Sequence, residues 1–236
     1  MLNSQSRWLR QEYKTNKDKF EKPFKITIEN RASESVTTTQ FILDQNYKGL
    51  GCTVWDGSIA LAKMFENDLE LIKNLKRFNA LELGAGCGLV GLTLVHLGAK
   101  FVLLSDMEVC MPTLKENVMK NTQTSTRDSV RVMPYIWGEA TTVLTKPRGK
   151  FDIIVAAEVL YDEADSRLLA QSAMQLLDEG GVMFVSMGRN RNGETTFVEA
   201  MNKNGYSIIE VPKEKLHPKY QDEIIKIIKV TKQTKS

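Results

Sequence analysis

The chain has 236 residues, 42% hydrophobic and 26% charged, with a formal net charge of +3. That composition supports a full hydrophobic core and excludes wholesale disorder, and the charge is too small to argue for a nucleic-acid partner. Three cysteines without CxxC spacing (Cys52, Cys87, Cys110) and two distant histidines (His96, His217) argue against a disulfide framework and a zinc or His-rich metal site. With no bilayer-length apolar run and no apolar signal core, the expectation is a soluble cytoplasmic protein, a monomer that uses neither metal nor membrane.

Residues 1–23 are polar and lysine-rich with scattered aromatics, and read as a flexible basic arm rather than part of the core. Everything from 24 to 236 reads as one domain, because no repeat or inter-domain linker interrupts it. Phe24 to Glu29 (FKITIE) and Thr37 to Leu43 (TTTQFIL) alternate as strands and predict an N-terminal hairpin. The stretch Gly51-Cys-Thr-Val-Trp-Asp-Gly leads into an amphipathic helix from Ser58 to Phe65, with Asp56 or Ser58 as its cap. Trp55, just before that helix, either packs in the core or touches a ligand.

Asn79 to Gly91 (NALELGAGCGLVG) carries most of the functional argument. A short apolar strand meets Gly84, Gly86 and Gly88, and Leu89, Val90, Leu92, Leu94, Val95 and Leu97 follow at helical spacing. Strand, glycine turn and helix open a nucleotide-binding βαβ unit. Glycines let the backbone approach a ligand, and a helix N-terminus offers unpaired N–H groups. Phe101 to Asp106 is the next apolar strand. Asp106 at its end stands where such a unit places the acid that accepts ribose hydroxyls, the alternative being a helix N-cap.

Glu108 to Asn121 predicts a helix that tolerates Pro112 in its first turn. Val130 to Tyr135 is a short strand closed by Trp137-Gly138, and 145–150 is a loop. Phe151 to Ala157 is near-continuously apolar, as a strand covered on both faces is. It runs into Glu158-Val-Leu-Tyr161-Asp162, an acid and a tyrosine three apart where open α/β sheets place their chemistry. Capping of the next helix (Ser166 to Leu177) by Asp162 or Asp165 is the alternative. Gly180-Gly181 predicts a turn into a strand from Val182 to Met187. Helix 193–204, strand 206–211 and strand 224–230 complete an α/β, Rossmann-like, mostly parallel seven-stranded sheet.

The ligand is narrowed by two departures from a dinucleotide fingerprint. Leu89 stands where the third glycine belongs, and Glu82 precedes the loop with a charge that repels pyrophosphate and suits a cation. S-adenosyl-L-methionine carries a sulfonium and an ammonium, so acid, GxGxG and a second acid point to a methyltransferase.

LELGAGCGLVGL (Leu81 to Leu92), with GCTVWDGSIALAKMFE upstream and EVLY (Glu158 to Tyr161) downstream, resembles the seven-β-strand methyltransferases of family 16, mostly protein lysine methyltransferases. The likeness extends from Gly49 to Val230. Within the family it is nearest to the branch acting on an AAA ATPase, valosin-containing protein, whose C-terminal segment is echoed by Pro212 to His217. The resemblance implies that Trp55, Gly84, Ala85, Gly86, Asp106, Trp137 and Ala157 line the S-adenosylmethionine site, joining Glu82. Trp137 would lie near the adenine, and Glu158 and Tyr161 would face the target lysine as catalytic residues. Aspartate is commoner than Glu158 in that motif. The implied partner is a protein: an AAA ATPase, a chaperone or an elongation factor. Two other readings stay open: methylation of another acceptor (protein histidine or a small molecule), and a binding protein that keeps the cofactor fold without turnover. Cys87 reads as a small packed residue.

Overall fold

In the computed structural model, residues 16–31, 35–46, 51–188 and 192–233 are described. Seven strands form the central sheet: β3 (Asn79–Leu83), β4 (Phe101–Asp106), β5 (Val130–Pro134), β6 (Phe151–Ala157), β7 (Leu177–Met187), β8 (Tyr206–Glu210) and β9 (Lys226–Lys232). Their spatial order is β5-β4-β3-β6-β7-β9-β8, parallel except for β9, which runs antiparallel to both neighbours. Successive residues of β6 alternate between two cores. Ile153 and Val155 join one with Ala80 of β3, while Ile154 and Ala156 join the other with Leu81 and Leu83. Both sheet faces are therefore covered, which is why the central strands β3, β4 and β6 are near-continuously apolar. The chain leaves β3 toward β4 on one side and pairs with β6 on the other, so the strand order reverses at β3/β6. Ligands of open α/β sheets bind in the crevice at such a point.

One face carries α2 (Asp56–Asn67), α3 (Leu69–Leu75), α4 (Leu89–His96) and α5 (Met111–Asn121). The other carries α6 (Thr142–Thr145), α7 (Glu163–Leu176) and α8 (Glu194–Lys203). The predicted hairpin forms as β1 (Phe24–Asn30) and β2 (Thr37–Leu43), paired antiparallel from Phe24↔Leu43 to Asn30↔Thr37. It packs on α2 and α5 through polar groups as well as Phe24, Ile26, Ile28, Phe41 and Leu43. On α5, the Asn121 amide exchanges hydrogen bonds with the Ile42 backbone (2.8 and 3.0 Å), so a side chain stands in for a missing strand at the β2 edge. On α2, buried Lys63 pairs with Glu66 at 2.7 Å and donates to Thr27 O at 2.6 Å, while Glu66 accepts from Glu29 N at 3.1 Å. The ion pair is buried, and each charge also satisfies a hairpin backbone group.

Most predicted elements form within a residue or two, and three differ. The arm is helical at its end, in α1 (Asn16–Glu21); Gln45 fastens it by donating to Lys19 O and Lys22 O, and the Phe20 ring packs, tilted by 47°, 5.4 Å from Trp55. The rest of the arm, 1–15, lies outside the described residues. β7 extends back through Gly180-Gly181 to Leu177, but its pairing with β6 jumps from Phe151↔Leu177 to Ile153↔Val182, so residues 178–181 bulge out and the glycine pair brings the chain back into register at Val182. A Cβ at Gly181 would stand 3.0 Å from Phe151 O, so glycine there admits the bulge. The third difference is the cap of α2. Its N-cap position is Trp55, and neither Asp56 nor Ser58 caps by side chain; Ser58 Oγ instead donates to Trp55 O at 2.6 Å.

Candidate active site

The glycine loop leaves β3 and enters α4 over the C-terminal end of the sheet. Ala85 N donates to Ser105 O at 3.0 Å, which fastens the loop to the end of β4. Gly84 has φ +70°, and a Cβ there would lie 2.8 Å from Val159 Cγ1 and 3.1 Å from the Trp137 ring. Gly86 has φ +54°, and its Cβ would run into the carbonyl oxygen of Gly51. Both positions demand glycine for conformation and for space. The loop thus forms the floor of a cavity walled by the 51–55 segment on one side and by Trp137 and Val159 on the other.

That cavity has a volume of about 220 Å³. It collects Trp55, Glu82, Gly84, Ala85, Gly86, Asp106, Trp137 and Ala157, every cofactor-side residue that the sequence names, together with Tyr161. Glu158 is not among its lining residues. The cavity adds Gly51, Thr53, Ser58, Met107, Ile136, Val159, Asp165 and Leu168, which the sequence does not mark for ligand contact. Several of these adjoin a named residue directly: Met107 comes after Asp106, and Ile136 precedes Trp137. That adjacency was the available signal. Asp165 and Leu168 reach the cavity from the first turns of α7, and no binding motif marks them.

Two carboxylates meet the floor. Asp106 accepts from Gly86 N and from Met107 N, each at 2.7 Å, and burial raises its pKa against those bonds. Glu82 accepts from Gly91 N at 2.7 Å, in the first turn of α4. Burial pushes the Glu82 carboxyl up to about 8, and the Gly91 N–H opposes this only in part. Burial therefore favours the protonated form of Glu82, and a cation beside it would favour the carboxylate. Thr53 Oγ1 is buried without a hydrogen-bond partner among the described residues, a polar atom in the wall that a ligand could satisfy.

The mouth is apolar and open. Met107 is 48% exposed, Ile136 54%, Tyr161 39% and Leu168 37%, a concentration of large exposed side chains around one opening. Glu158 lies behind this mouth, 4% exposed. Its carboxylate accepts from Gly57 N at 3.0 Å and Gly188 N at 3.1 Å. Gly57 belongs to the first turn of α2, so the cap that Asp56 and Ser58 do not provide comes from the end of β6. Glu158 is also the sole non-glycine residue with positive φ (62°) among the described residues. Asp162 caps α7 by accepting from Asp165 N at 2.9 Å.

A family model described as lysine methyltransferase matches residues 36–204, a span that contains the cavity floor and both walls. The protein N-lysine methyltransferase METTL21A of Danio rerio is 33% identical over 172 residues, covering 72% of this chain and 75% of the relative. The chain belongs to the lysine methyltransferase family. The METTL21A of Mus musculus is 28% identical over 166 residues, covering 70% and 73%. Among solved structures, the glycopeptide N-methyltransferase MtfA complexed with S-adenosyl-L-methionine superposes with a TM-score of 0.56 at 14% identity, covering 72% of this chain and 87% of that one. At that identity the likeness is one of fold: the seven-stranded sheet and flanking helices of a class I methyltransferase. The antiparallel hairpin β1–β2 is a separate two-stranded sheet beside it. Among the described residues no group of His, Cys, Asp or Glu could hold a metal ion, and no helix is long and apolar enough to cross a membrane.

Proposed function

We propose that this member of the lysine methyltransferase family transfers a methyl group from S-adenosyl-L-methionine to the ε-amine of a lysine in a protein substrate. The observation that carries the reading is the cavity at the β3/β6 switch point, where the glycine floor, two buried carboxylates and an apolar mouth ending at Tyr161 converge.

The residues present fit the cofactor. The floor has no side chain at Gly84 or Gly86, Asp106 has acceptor oxygens for ribose hydroxyls, and Trp137, Met107 and Ile136 supply apolar surface for an adenine. Glu82 becomes a counter-charge for a cation once ionised, and Thr53 Oγ1 has an open hydrogen-bonding capacity. When bound, S-adenosylmethionine supplies an electrophilic methyl group on a sulfonium.

The chain's own work is to present a neutral amine in line with that methyl. A lysine ammonium, with a pKa of about 10.4, must first lose its proton. The apolar mouth formed by Trp55, Tyr161 and Leu168 favours the neutral form by desolvation. The Tyr161 hydroxyl orients the amine and its ring meets the positive charge as it passes to nitrogen. Asp165, exposed at the mouth, attracts the incoming ammonium. Glu158 acts one layer back, holding the first turn of α2 and the end of β7 to the end of β6, and so fixes Trp55 and Ser58 at the cavity.

Three buried free cysteines support a reducing, cytoplasmic setting. The substrate classes implied by the sequence resemblance are an AAA ATPase, a chaperone or an elongation factor. Incubation with radiolabelled S-adenosylmethionine and a cell extract, followed by mass spectrometry of the labelled band, tests the reading. Label on lysine supports it; label confined to histidine or to small molecules contradicts it.

A further inference from the structure

The turn that carries Trp137 into the cavity is held from behind by α7. Ile136 to Glu139 form a four-residue turn, closed by Glu139 N donating to Ile136 O at 3.1 Å, with Trp137 second and Gly138 third. Gly138 has φ +89°, the conformation that a type II turn requires at its third position. Such a turn gives the N–H of its third residue no partner of its own, so a partner must come from elsewhere. Gly138 N donates to Ser172 Oγ at 2.9 Å. Ser172 is fully buried in α7 and is not among the residues that line the cavity. We propose that Ser172 is a positioning residue for the cofactor, which acts through the Gly138 turn to set the height of the Trp137 ring over the glycine floor.

Ser172 is engaged on both of its sides. The Tyr135 hydroxyl lies 2.9 Å from Ser172 Oγ and 3.1 Å from Glu139 O. A carbonyl can only accept, so the single phenolic proton serves Glu139 O when the serine proton goes to the tyrosine oxygen. Gly138 N–H, Ser172, Tyr135 and Glu139 O then form one relay, in which each hydroxyl accepts once and donates once. Both Ser172 and Tyr135 are buried, where an unmade hydrogen bond is costly, so the relay holds as a unit. It fastens the residues on either side of Ile136 and Trp137 to one point on α7. Tyr135 N also donates to Asp106 O at 2.8 Å, which ties the start of the turn to the end of β4.

The same stretch of α7 carries the acceptor side. Asp165, Leu168 and Ser172 follow one another at helical spacing, and the first two line the cavity. A Cβ on Gly138 would lie 2.7 Å from Leu168 Cδ2, so the turn rests directly on that side chain, with Ser172 one helical turn further along. On the other side, a Cβ on Gly84 would lie 3.1 Å from Trp137 Cζ2, so the ring stands close over the floor. A small retreat of the turn from α7 changes the gap between ring and floor, and with it the contact available to a flat base. With the cavity read as the S-adenosylmethionine site, on which this assignment rests, a single helix sets the spacing between the cofactor wall and the acceptor mouth.

The test uses the full chain and calorimetric titration with S-adenosylmethionine, so it does not depend on which acceptor is methylated. Ser172→Ala removes the centre of the relay and should weaken cofactor affinity about threefold to tenfold. Tyr135→Phe keeps the ring and the Gly138 bond, and should weaken it less. Because Ser172 acts through Trp137, its effect should shrink in a Trp137→Phe background. The loss in the double variant should fall short of the product of the two single losses by at least about twofold. A serine that only stabilises the fold would give independent losses that multiply. Wild-type affinity in Ser172→Ala overturns the proposal, and so do losses that multiply. If Ser172→Ala does not fold, Ser172→Cys, close in shape but a weak acceptor, takes its place in the same cycle with the same two outcomes. A wild-type chain that binds no S-adenosylmethionine overturns the reading of the cavity itself, before any variant is compared.

Discussion

Of the helices that begin at the cavity, α2 and α4 are not capped by their own residues. The N-cap of α4 is Gly88 and that of α2 is Trp55, without a side-chain cap bond in either case. Each helix instead borrows a carboxylate from a strand end: Glu82 of β3 serves Gly91 N, and Glu158 after β6 serves Gly57 N. The bonds are alike, but the settings differ. Glu82 lines the cavity and keeps one face toward a ligand, while Glu158 lies behind it and bridges two backbone amides from different elements. One acid near a cavity can serve the ligand, and the other can serve the wall.

The largest effect should come from removing the bridging acid. Glu158→Ala leaves the buried Gly57 N–H and the half-buried Gly188 N–H unsatisfied and should cost about 2–4 kcal/mol of stability, read by denaturant unfolding. Glu158→Gly relieves the positive φ and should be more stable than the alanine variant by about 1 kcal/mol. If alanine and glycine are equal, the backbone there is not strained.

Tyr161→Phe should lower kcat by about tenfold to a hundredfold with cofactor Kd unchanged, because Tyr161 lines the exposed mouth. A parallel loss of cofactor affinity would place the Tyr161 hydroxyl on the cofactor side instead.

Glu82 sharpens the comparison through pH. Its folded pKa is raised from 4.5 to about 8, so the folded state holds a proton that the unfolded state releases between those values. Stability associated with the neutral carboxyl is fully present below about 4.5 and is lost as pH rises toward 8. Glu82→Gln keeps an acceptor for Gly91 N and cannot ionise. Its Tm should therefore fall less than that of wild type between those pH values, in paired calorimetric scans.

The smallest expected effect is at Asp165. Asp165→Asn should raise the KM for protein substrate about threefold at low salt and less at high salt, leaving KM for cofactor alone.

The cavity floor was legible in the sequence because its parts are local: the GAGCG loop needs glycine at Gly84 and Gly86 for conformation and for space, and Asp106 ends an apolar strand. The fold was legible for the same reason, since doubly covered strands such as β6 are near-continuously apolar. The cap of α2 was not, because a carboxylate 101 residues downstream supplies it and local pattern holds no record of such a bond. The Gly180-Gly181 pair marks the irregularity before Val182, but a glycine pair reads alike as a turn or a bulge, so the extension of β7 back to Leu177 was not legible. Asp165 and Leu168 were missed because α7 turns them toward the cavity by its packing angle, which sequence does not encode locally.

The division of labour between Glu158 and Tyr161 is most directly tested with Glu158→Gln, which sets an NH₂ against one of the two amides that the carboxylate now accepts. Tm, cofactor affinity and turnover should be measured on the same preparation. Tm and cofactor affinity should fall together, with turnover restored in large part at saturating cofactor. Unchanged Tm and cofactor affinity with turnover abolished would contradict that division, and would place the Glu158 carboxylate on the acceptor amine itself.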